Sequence, residues 1–391
     1  MPKPYKPRIL ILIDWFTPGY RAGGPIQSVQ NFIHSFREQY DISVITSAYD
    51  HGVEEPYPEV ALDQWTKTPT GTRVFYFTRE NLSRQTLRAL LAAERPDFVY
   101  LQSMFSRYFS FYPLRWASHI WPDAEIILAP RGMLHAGAMQ FSRLKKRFVL
   151  GFLRGLGVQR RIRFQATDEQ EAADIRRYFG SKVEVHVASN LPRQFQPDWA
   201  PTPKQPGQLK LVFASRVHPK KNLGYLLRLI PYLDGLVLLD IYGPREDENH
   251  VQELQDLADE MDETCQVRFM GELPPHELHP ALTQYHFSVL PTLGENFGHS
   301  IFEAMLAGLP VLISDRTPWR DLETQKLGWD LPLDARGEWI DTLQNILDMD
   351  DATYRTWSQA TWKFARQYKQ QPELLRQTEA LFFPEREGEG G

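Results

Sequence analysis

Apolar positions in this chain come in two textures. Short dense runs, RILILID, DISVITS, TRVFYF, PDFVYLQ, AEIILAP, IRFQAT and KVEVHV, read as buried strands, and longer helix-compatible segments separate most of them. Parallel strands need crossover connections, so this rhythm predicts an α/β fold in which a mostly parallel sheet carries helices on both faces. The rhythm stops near Asn190. Residues 191–209 hold five prolines and no apolar period, as expected of a linker. Alternation then resumes with LKLVFAS, GLVLLDIYG, QVRFMG, YHFSVLP and LPVLISD, a second α/β unit. Between these runs, KKNLGYLLRLIPYL, NHVQELQDLADEMDE, PHELHPALTQ and GHSIFEAMLAG read as helices. The tail from Ile340 to Phe383 also reads as helical, and its aromatic stripe, DATYRTWSQATWKFARQY, is expected to pack on the body of the protein. The expected organisation is a first domain over 1–190, a linker over 191–209, a second domain over 210–365, and a final helix with a frayed tail over 366–391.

Composition narrows the class without naming a function. A chain of 391 residues, 42% hydrophobic and 24% charged, can bury two cores and is neither disordered nor fibrous. Lys and Arg number 44 against 49 Asp and Glu, so a nonspecific nucleic-acid binder coated in positive charge is excluded. One cysteine, Cys265, excludes an internal disulfide framework and a cysteine-rich zinc site. No apolar stretch approaches the length of a membrane span, and ILILID is interrupted by Asp14 and lacks a cleavage site, so it reads as a first strand. The expected location is cytoplasmic, with the inner membrane surface open as a place of work.

Ligands of open α/β sheets gather at the carboxyl ends of the strands, and two such domains make a cleft. The residues after strands therefore carry the chemistry. In LPTLGENFGHSIFEAMLAGLPVLISD, Leu290 to Asp315, an otherwise apolar helix bears Glu303, and the glycine-flanked turn before it bears Glu295. A carboxylate inside a shielded helix is costly unless protein donors or ligand hydroxyls satisfy it. The plainer alternative is that Glu295 caps its turn and Glu303 pairs with a structural Arg or Lys. Between the two, the backbone N–H groups around Phe297, Gly298 and His299 open a helix and can receive phosphate oxygens. Phosphate in the middle with hydroxyl-rich groups at both ends describes a nucleotide sugar.

After the first strand of the second unit, ASRVHPKKNLGYLL places Arg216 at the strand exit and Lys221 at the opening of the next helix. Cations gain nothing from a helix N-terminus, so Arg216 and Lys221 read as partners of an anion, suited to neutralising a diphosphate leaving group. A salt bridge at the rim of the core is the alternative for Arg216. Lys220 reads as solvated. In the first unit, Gly23 and Gly24 precede Pro25 after strand one, where backbone without Cβ can meet phosphate. This is neither a dinucleotide GxGxxG nor a Walker loop.

Other residues read more plainly. His276 and His279 are three apart with no carboxylate triad or HExxH pattern, so no metal is expected and both read as surface residues. Asp240 reads as structural, and Asp321 as serving a helix end or the cleft. Residues 143–163, RLKKRFVLGFLRGLGVQRRIR, interleave Lys and Arg with apolar residues, which suits either an anionic membrane surface or a helix with one face in the core.

With these residues in view, the sequence resembles the retaining, GT-B-fold glycosyltransferases of family 4, including bacterial enzymes of polysaccharide and lipid-linked saccharide assembly, over nearly its whole length. Glu295 and Glu303, separated by seven residues, look like that family's paired glutamates. Arg216 and Lys221 look like its diphosphate clamp, and Gly23 with Gly24 like its phosphate-contacting loop. The resemblance implies two Rossmann-like domains facing a cleft, the second binding the nucleotide sugar, with C-terminal helices crossing back to brace the first. It implies that Glu303 binds ribose hydroxyls and that Glu295 faces the donor sugar, with Glu295, Arg216 and Lys221 as the catalytic set. Asn296, Phe297, Gly298 and His299 would contact sugar and phosphates, and Phe269, Met270, Gly271, Glu272 and Leu273 would line the base pocket. The sequence departs from many members after the middle strand of the first domain, where LAPRGMLHAGAM brings Arg131 to the place of a donor-contacting histidine. Arg131 and His135 are accordingly candidates for sugar or acceptor contacts. No permanent cofactor or metal is implied.

The reaction so expected is sugar transfer from a nucleotide-diphosphate-sugar to a hydroxyl of a saccharide or lipid-linked saccharide. The alternatives are a nucleotide-sugar epimerase, which would need protein acid and base groups around the sugar carbons, a phosphorylase with a Schiff-base lysine, and a noncatalytic saccharide-binding protein.

Overall fold

A computed structural model describes residues 5–135, 143–155, 157–195 and 197–383, which divide into two compact units, 1–191 with 372–391 and 192–371.

The first unit is built on an eight-stranded sheet. Its strands are β1 (Arg8–Leu12), β2 (Asp41–Ser47), β3 (Trp65–Lys67), β4 (Arg73–Phe77), β5 (Phe98–Leu101), β6 (Glu125–Leu128), β7 (Ile162–Ala166) and β8 (Val185–Val187), in the order β3-β4-β2-β1-β5-β6-β7-β8. All pairs are parallel except β3 with β4. Central strands covered on both faces must be apolar throughout, and β5 is buried at every position. Helices α1 (Gly24–Phe36), α2 (Arg84–Ala93), α3 (Tyr112–Ile120), α4 (Arg143–Gly155) and α5 (Glu169–Phe179) make the layers around it. Capping fixes several of these starts: Ser83 and Thr86 form a reciprocal capping box on α2, and the Asp168 side chain accepts from Glu171 N on α5. In α4, Leu150 and Leu153 are buried and the Phe152 ring lies 5.4 Å from Phe111. The apolar side of the basic run thus serves the unit's interior, while the side chains of Lys145 and Arg147 lie outside the described residues.

The second unit has six strands, β9 (Gln208–Ala214), β10 (Leu236–Tyr242), β11 (Cys265–Gly271), β12 (Phe287–Leu290), β13 (Val311–Ser314) and β14 (Gly328–Leu331), all parallel, in the order β11-β10-β9-β12-β13-β14. The chain winds outward one way from β9 and then the other way from β12, so the order reverses between these two strands. The helices are α6 (Leu223–Leu227), α7 (Glu248–Asp259), α8 (Pro275–Leu282), α9 (His299–Leu306), α10 (Arg336–Asp348) and α11 (Asp351–Tyr368). Phe213, Phe287, Phe302 and Trp339 are among its fully buried side chains. The stripe on α11 packs as its spacing predicts: Trp357 stacks on Trp329 at 4.2 Å, and Tyr368 meets Phe302 at 5.5 Å. Residues of the Pro-rich stretch are tied to this unit, with Trp199 Nε1 donating to Ser358 Oγ and buried Lys204 Nζ donating to the carbonyls of Leu347 and Met349.

After α11, helix α12 (Pro372–Glu379) belongs to the first unit, where Phe382 enters an aromatic cluster with Phe32, Tyr40, Phe98 and Tyr100. All twelve expected strands are present. Two more, β3 and β14, carry no apolar alternation, because WTK and GWDL are edge strands placed by their neighbours. The expected helix over KKNLGYLLRLIPYL is instead a 3-10 turn at Pro219–Lys221, the short α6, and another 3-10 turn at Ile230–Tyr232. Asn222 at φ 59° is left-handed and Pro231 lacks an N–H, so one continuous helix cannot form.

Candidate active site

Because β9 and β12 are neighbours at the reversal point, the loops leaving their carboxyl ends lie side by side. One carries Arg216 and Lys221, the other Glu295. Lys221 Nζ donates to Glu295 Oε1 at 2.6 Å, and Thr292 Oγ1 donates to the same oxygen at 2.8 Å. The loop backbone is pinned from both sides, Leu293 N donating to Lys220 O at 2.8 Å and Glu295 N to Arg316 O at 3.0 Å. Burial acts to raise the Glu295 carboxyl, but the Lys221 charge and hydrogen bond, with Lys220 and Thr292, outweigh it and hold the carboxyl below its ordinary range. Lys221 is buried and ends the 3-10 turn ahead of α6, whereas Lys220 beside it is exposed.

Arg216 lies about a third exposed and donates through Nη1 to Glu246 Oε1 at 2.7 Å. His218 approaches the other oxygen of Glu246 at 3.9 Å. Burial pushes the His218 ring below its ordinary value, against the attraction of Glu246 and with the help of the Arg216, His250 and Lys220 charges. The turn holding Glu246 is set by Gly243 at φ 147°, where a Cβ would sit 2.0 Å from Ser215 O.

The mouth of α9 lies beyond Glu295. Gly298 is its N-cap at φ 76° with no side-chain cap, so the first N–H groups of the helix have no partner of that kind. The helix dipole adds to their attraction for an anion. Asn296 Nδ2 is buried and accepted by nothing among the described residues. Phe297 is fixed by its carbonyl, which accepts from Trp319 Nε1 at 2.5 Å, and by its ring, 4.8 Å from the His299 ring. At the other end a Schellman motif closes the helix, with Leu309 N donating to Ala304 O and Gly308 N to Met305 O, both at 3.0 Å. Glu303, 4% exposed, faces Arg193, whose Nη1 stands 3.4 Å from Oε2. Burial pushes the Glu303 carboxyl above its ordinary range, opposed by the charge and hydrogen bond of Arg193.

Phe269, Met270 and Gly271 close β11, and Glu272 and Leu273 follow it. Gly271 O accepts from Gly243 N at 2.9 Å, and the Arg245 guanidinium lies 5.8 Å from the Phe269 ring centre. The second unit therefore brings Arg216, Lys221, Glu295 and the α9 mouth to the carboxyl edge of one sheet, with the segment Phe269–Leu273 on the edge strand of the same sheet.

In the first unit Gly23, at φ 69°, is the N-cap of α1 with open space around its Cα, and Gly24 and Pro25 begin the helix. Asp50 Oδ2 holds the approach to this turn through the N–H groups of Tyr20 and Arg21. Arg131, at φ 55°, spends its guanidinium on Gln102 Oε1, Asn190 Oδ1 and Tyr100 OH. His135 Nδ1 is 2.5 Å from Asp174 Oδ2. Both candidates thus sit in protein networks at the carboxyl edge of the first sheet.

Asp240 is buried in β10 with Arg268 and Tyr285 as partners, a structural cluster. Among the described residues no group of three or more His, Cys, Asp or Glu side chains is placed to hold a metal ion, and no helix is long and apolar enough to cross a membrane. Two residues of the site carry no local signal. Arg193 lies in a Pro-rich stretch 110 positions from Glu303, and Glu246 lies in a charged turn 30 positions from Arg216. Only the fold brings them to their partners.

Two family models match the chain: residues 23–190 match the glycosyl transferase 4-like domain, and residues 196–329 match glycosyl transferases group 1. No curated protein sequence matches it significantly. Among solved structures it is similar to Anabaena HepE (Alr3699) with UDP-glucose, at TM-score 0.71 and 16% identity over 96% of this chain and 99% of that one. A variant of S. aureus TarM with fondaparinux, α-GlcNAc-glycerol and UDP is similar at TM-score 0.68 and 13% identity over 96% and 99%. WaaG, a glycosyltransferase involved in lipopolysaccharide biosynthesis, is similar at TM-score 0.64 and 13% identity over 96% and 99%. The chain is a GT-B-fold protein whose two units match, one after the other, the domain models of glycosyltransferases.

Proposed function

We propose that this chain is a retaining glycosyltransferase of family 4 that moves a hexose from a nucleotide-diphosphate-sugar to a hydroxyl of a saccharide or lipid-linked saccharide, in cell-surface polysaccharide assembly. The observation that carries the reading is the carboxyl edge of the second sheet, where two cations, a buried carboxylate and an uncapped helix mouth meet at the strand-order reversal. A diphosphate needs cations and N–H donors, and sugar hydroxyls need carboxylate acceptors. The similar structures of HepE with UDP-glucose and of TarM with UDP support the same reading.

In this reading the bond between the anomeric carbon and the diphosphate oxygen breaks while the acceptor oxygen bonds to that carbon from the same face. The acceptor proton passes to the departing phosphate, so no protein base is required. Arg216 and Lys221 stabilise the charge growing on the leaving group, which is worth most when the donors are already fixed in place. For Arg216 and Lys221 to reach phosphate they exchange their partners Glu246 and Glu295 for it. Glu303 accepts from ribose hydroxyls, and the Phe269–Leu273 backbone flanks the base. Work on a lipid-linked acceptor places the protein at the cytoplasmic membrane face, with the basic run 143–163 as the segment that meets anionic lipid. Charge reversal at Lys145, Lys146 and Arg147 that leaves vesicle binding unchanged would sink that last assignment.

The test is mass spectrometry of products and released nucleotide after incubation with a donor panel and native lipid extract. Release of nucleoside diphosphate that requires the extract, together with a glycosylated product, supports transfer. Donor turnover without extract would instead mark an epimerase or hydrolase, and saccharide binding without turnover a noncatalytic protein.

A further inference from the structure

Glu303 has an asymmetric environment. Its Oε2 faces Arg193 Nη1 at 3.4 Å, while Oε1 accepts no hydrogen bond from any described residue. The carboxylate is 4% exposed, within the buried run Ile301–Leu306 whose other residues are Ile, Phe, Ala, Met and Leu. An isolated charge in such a place takes up a proton instead of remaining ionised, so a cation must hold it. The elements packed against α9 offer few others. On α8 the titratable group on this side is His279, which Arg193 itself opposes, and at the end of α11 stand Tyr368 and Lys369, the latter donating to Gln194 O at 2.9 Å. Strands β12 and β13 bring no charge. Arg193 in turn is steadied by Phe195, its guanidinium lying 5.4 Å from that ring, and Phe195 meets His279 at 5.5 Å.

We propose that Arg193 is a positioning residue of the donor site: by engaging one oxygen of Glu303 it keeps the buried side chain a carboxylate and leaves the other oxygen free to accept the hydroxyls of a nucleoside diphosphate's ribose. This rests on the function proposed above and adds a residue to it. A protonated Glu303 keeps one acceptor fewer and presents a donor instead, so it matches a hydroxyl pair less well. Burial already acts to raise its pKa and Arg193 acts to lower it. Removing Arg193 therefore moves protonation upward in pH, and binding that needs the carboxylate is lost as pH falls through that raised value.

The experiment is calorimetric titration of the full chain with UDP, GDP and their 2′-deoxy forms from pH 5.5 to 8.5, for wild type, R193M, R193K and E303Q. Wild type and R193K are expected to hold their affinity to lower pH than R193M. R193M should bind roughly tenfold more weakly at pH 6 and recover as pH rises, a difference worth about 1.4 kcal/mol. E303Q should bind weakly with no slope, and the preference for ribose over deoxyribose should fall in both R193M at low pH and E303Q. A uniform loss in R193M with the wild-type pH profile would mark a merely structural arginine and overturn the proposal, as would unchanged affinity. R193Q serves the same comparison should R193M not fold. A wild type that binds neither nucleotide overturns the donor-site reading itself, whereas wild-type binding with a flat R193M profile overturns only the role of Arg193.

Discussion

Lys221 Nζ and Glu295 Oε1 stand 2.6 Å apart, 74 positions from each other in sequence, with both side chains nearly buried. The pair exists because β9 and β12 are adjacent at the reversal of strand order. Its charges have left water together, so each depends on the other.

Removing one partner should therefore cost more than removing both. K221M is expected to destabilise the second unit by about 3 kcal/mol, since it strands a buried carboxylate, and K221M/E295Q by clearly less. Urea unfolding of the two variants and of E295Q completes the cycle. The pH dependence has a definite sign: the Glu295 pKa is depressed in the folded state, so its stabilisation is present above the ordinary glutamate value and is lost as pH falls through the lower folded value. The stability difference between wild type and the double variant should shrink only below about pH 4.5.

Arg216 is placed differently, about a third exposed against Glu246. An exposed pair contributes little to folding, so R216A should change unfolding free energy by less than about 1 kcal/mol. Its loss should lower kcat by roughly 100-fold or more if it stabilises the leaving diphosphate. E303Q should act mainly on donor KM. Steady-state kinetics beside urea titration separates these outcomes. Equal nucleoside-diphosphate affinity in wild type and an Arg216/Lys221 double variant would contradict the clamp.

The strands were legible because sheet interiors demand dense apolar runs, and twelve such runs became twelve strands. The edge strands β3 and β14 were not, because their positions are set by neighbours and not by their own alternation. Glu303 stood out because a carboxylate is out of place beside Phe302, Ala304 and Met305, and Glu295 because it sits in a glycine-flanked turn after a strand. Their protein partners divide by distance in the chain and by local texture. Lys221 was visible as a cation after a strand, whereas Arg193 sits among prolines with nothing to mark it, and its meaning appears only when residues 192–209 fold onto the second unit.

Glycines offer a test of backbone geometry. Gly298 has φ 76°, and an added Cβ would meet Ile301 Cδ1 at 2.7 Å, so G298A should cost about 1–3 kcal/mol through strain at the mouth of α9. Gly337, inside α10, has an ordinary φ and open space around it. G337A should therefore be neutral or stabilise by about 0.5–1 kcal/mol, because alanine loses less entropy in a helix. Thermal unfolding of the two variants in parallel checks both signs.

After α11 the chain returns to its first unit. Phe382 is fully buried against Phe32, Phe98 and Tyr100, with Tyr40 beside it, although it lies at the far end of the sequence. Arg163 Nη1 donates to Leu381 O, which fixes the neighbouring backbone. F382A empties a site walled by rings that cannot easily collapse, so it should cost about 3–5 kcal/mol. That loss belongs to the first unit alone, because α12 and the residues after it group with 1–191. Hydrogen exchange resolved by segment should show protection falling in β1, β5 and α1 while β9 to β13 keep theirs. Uniform loss across both sheets would show instead that the two units unfold as one.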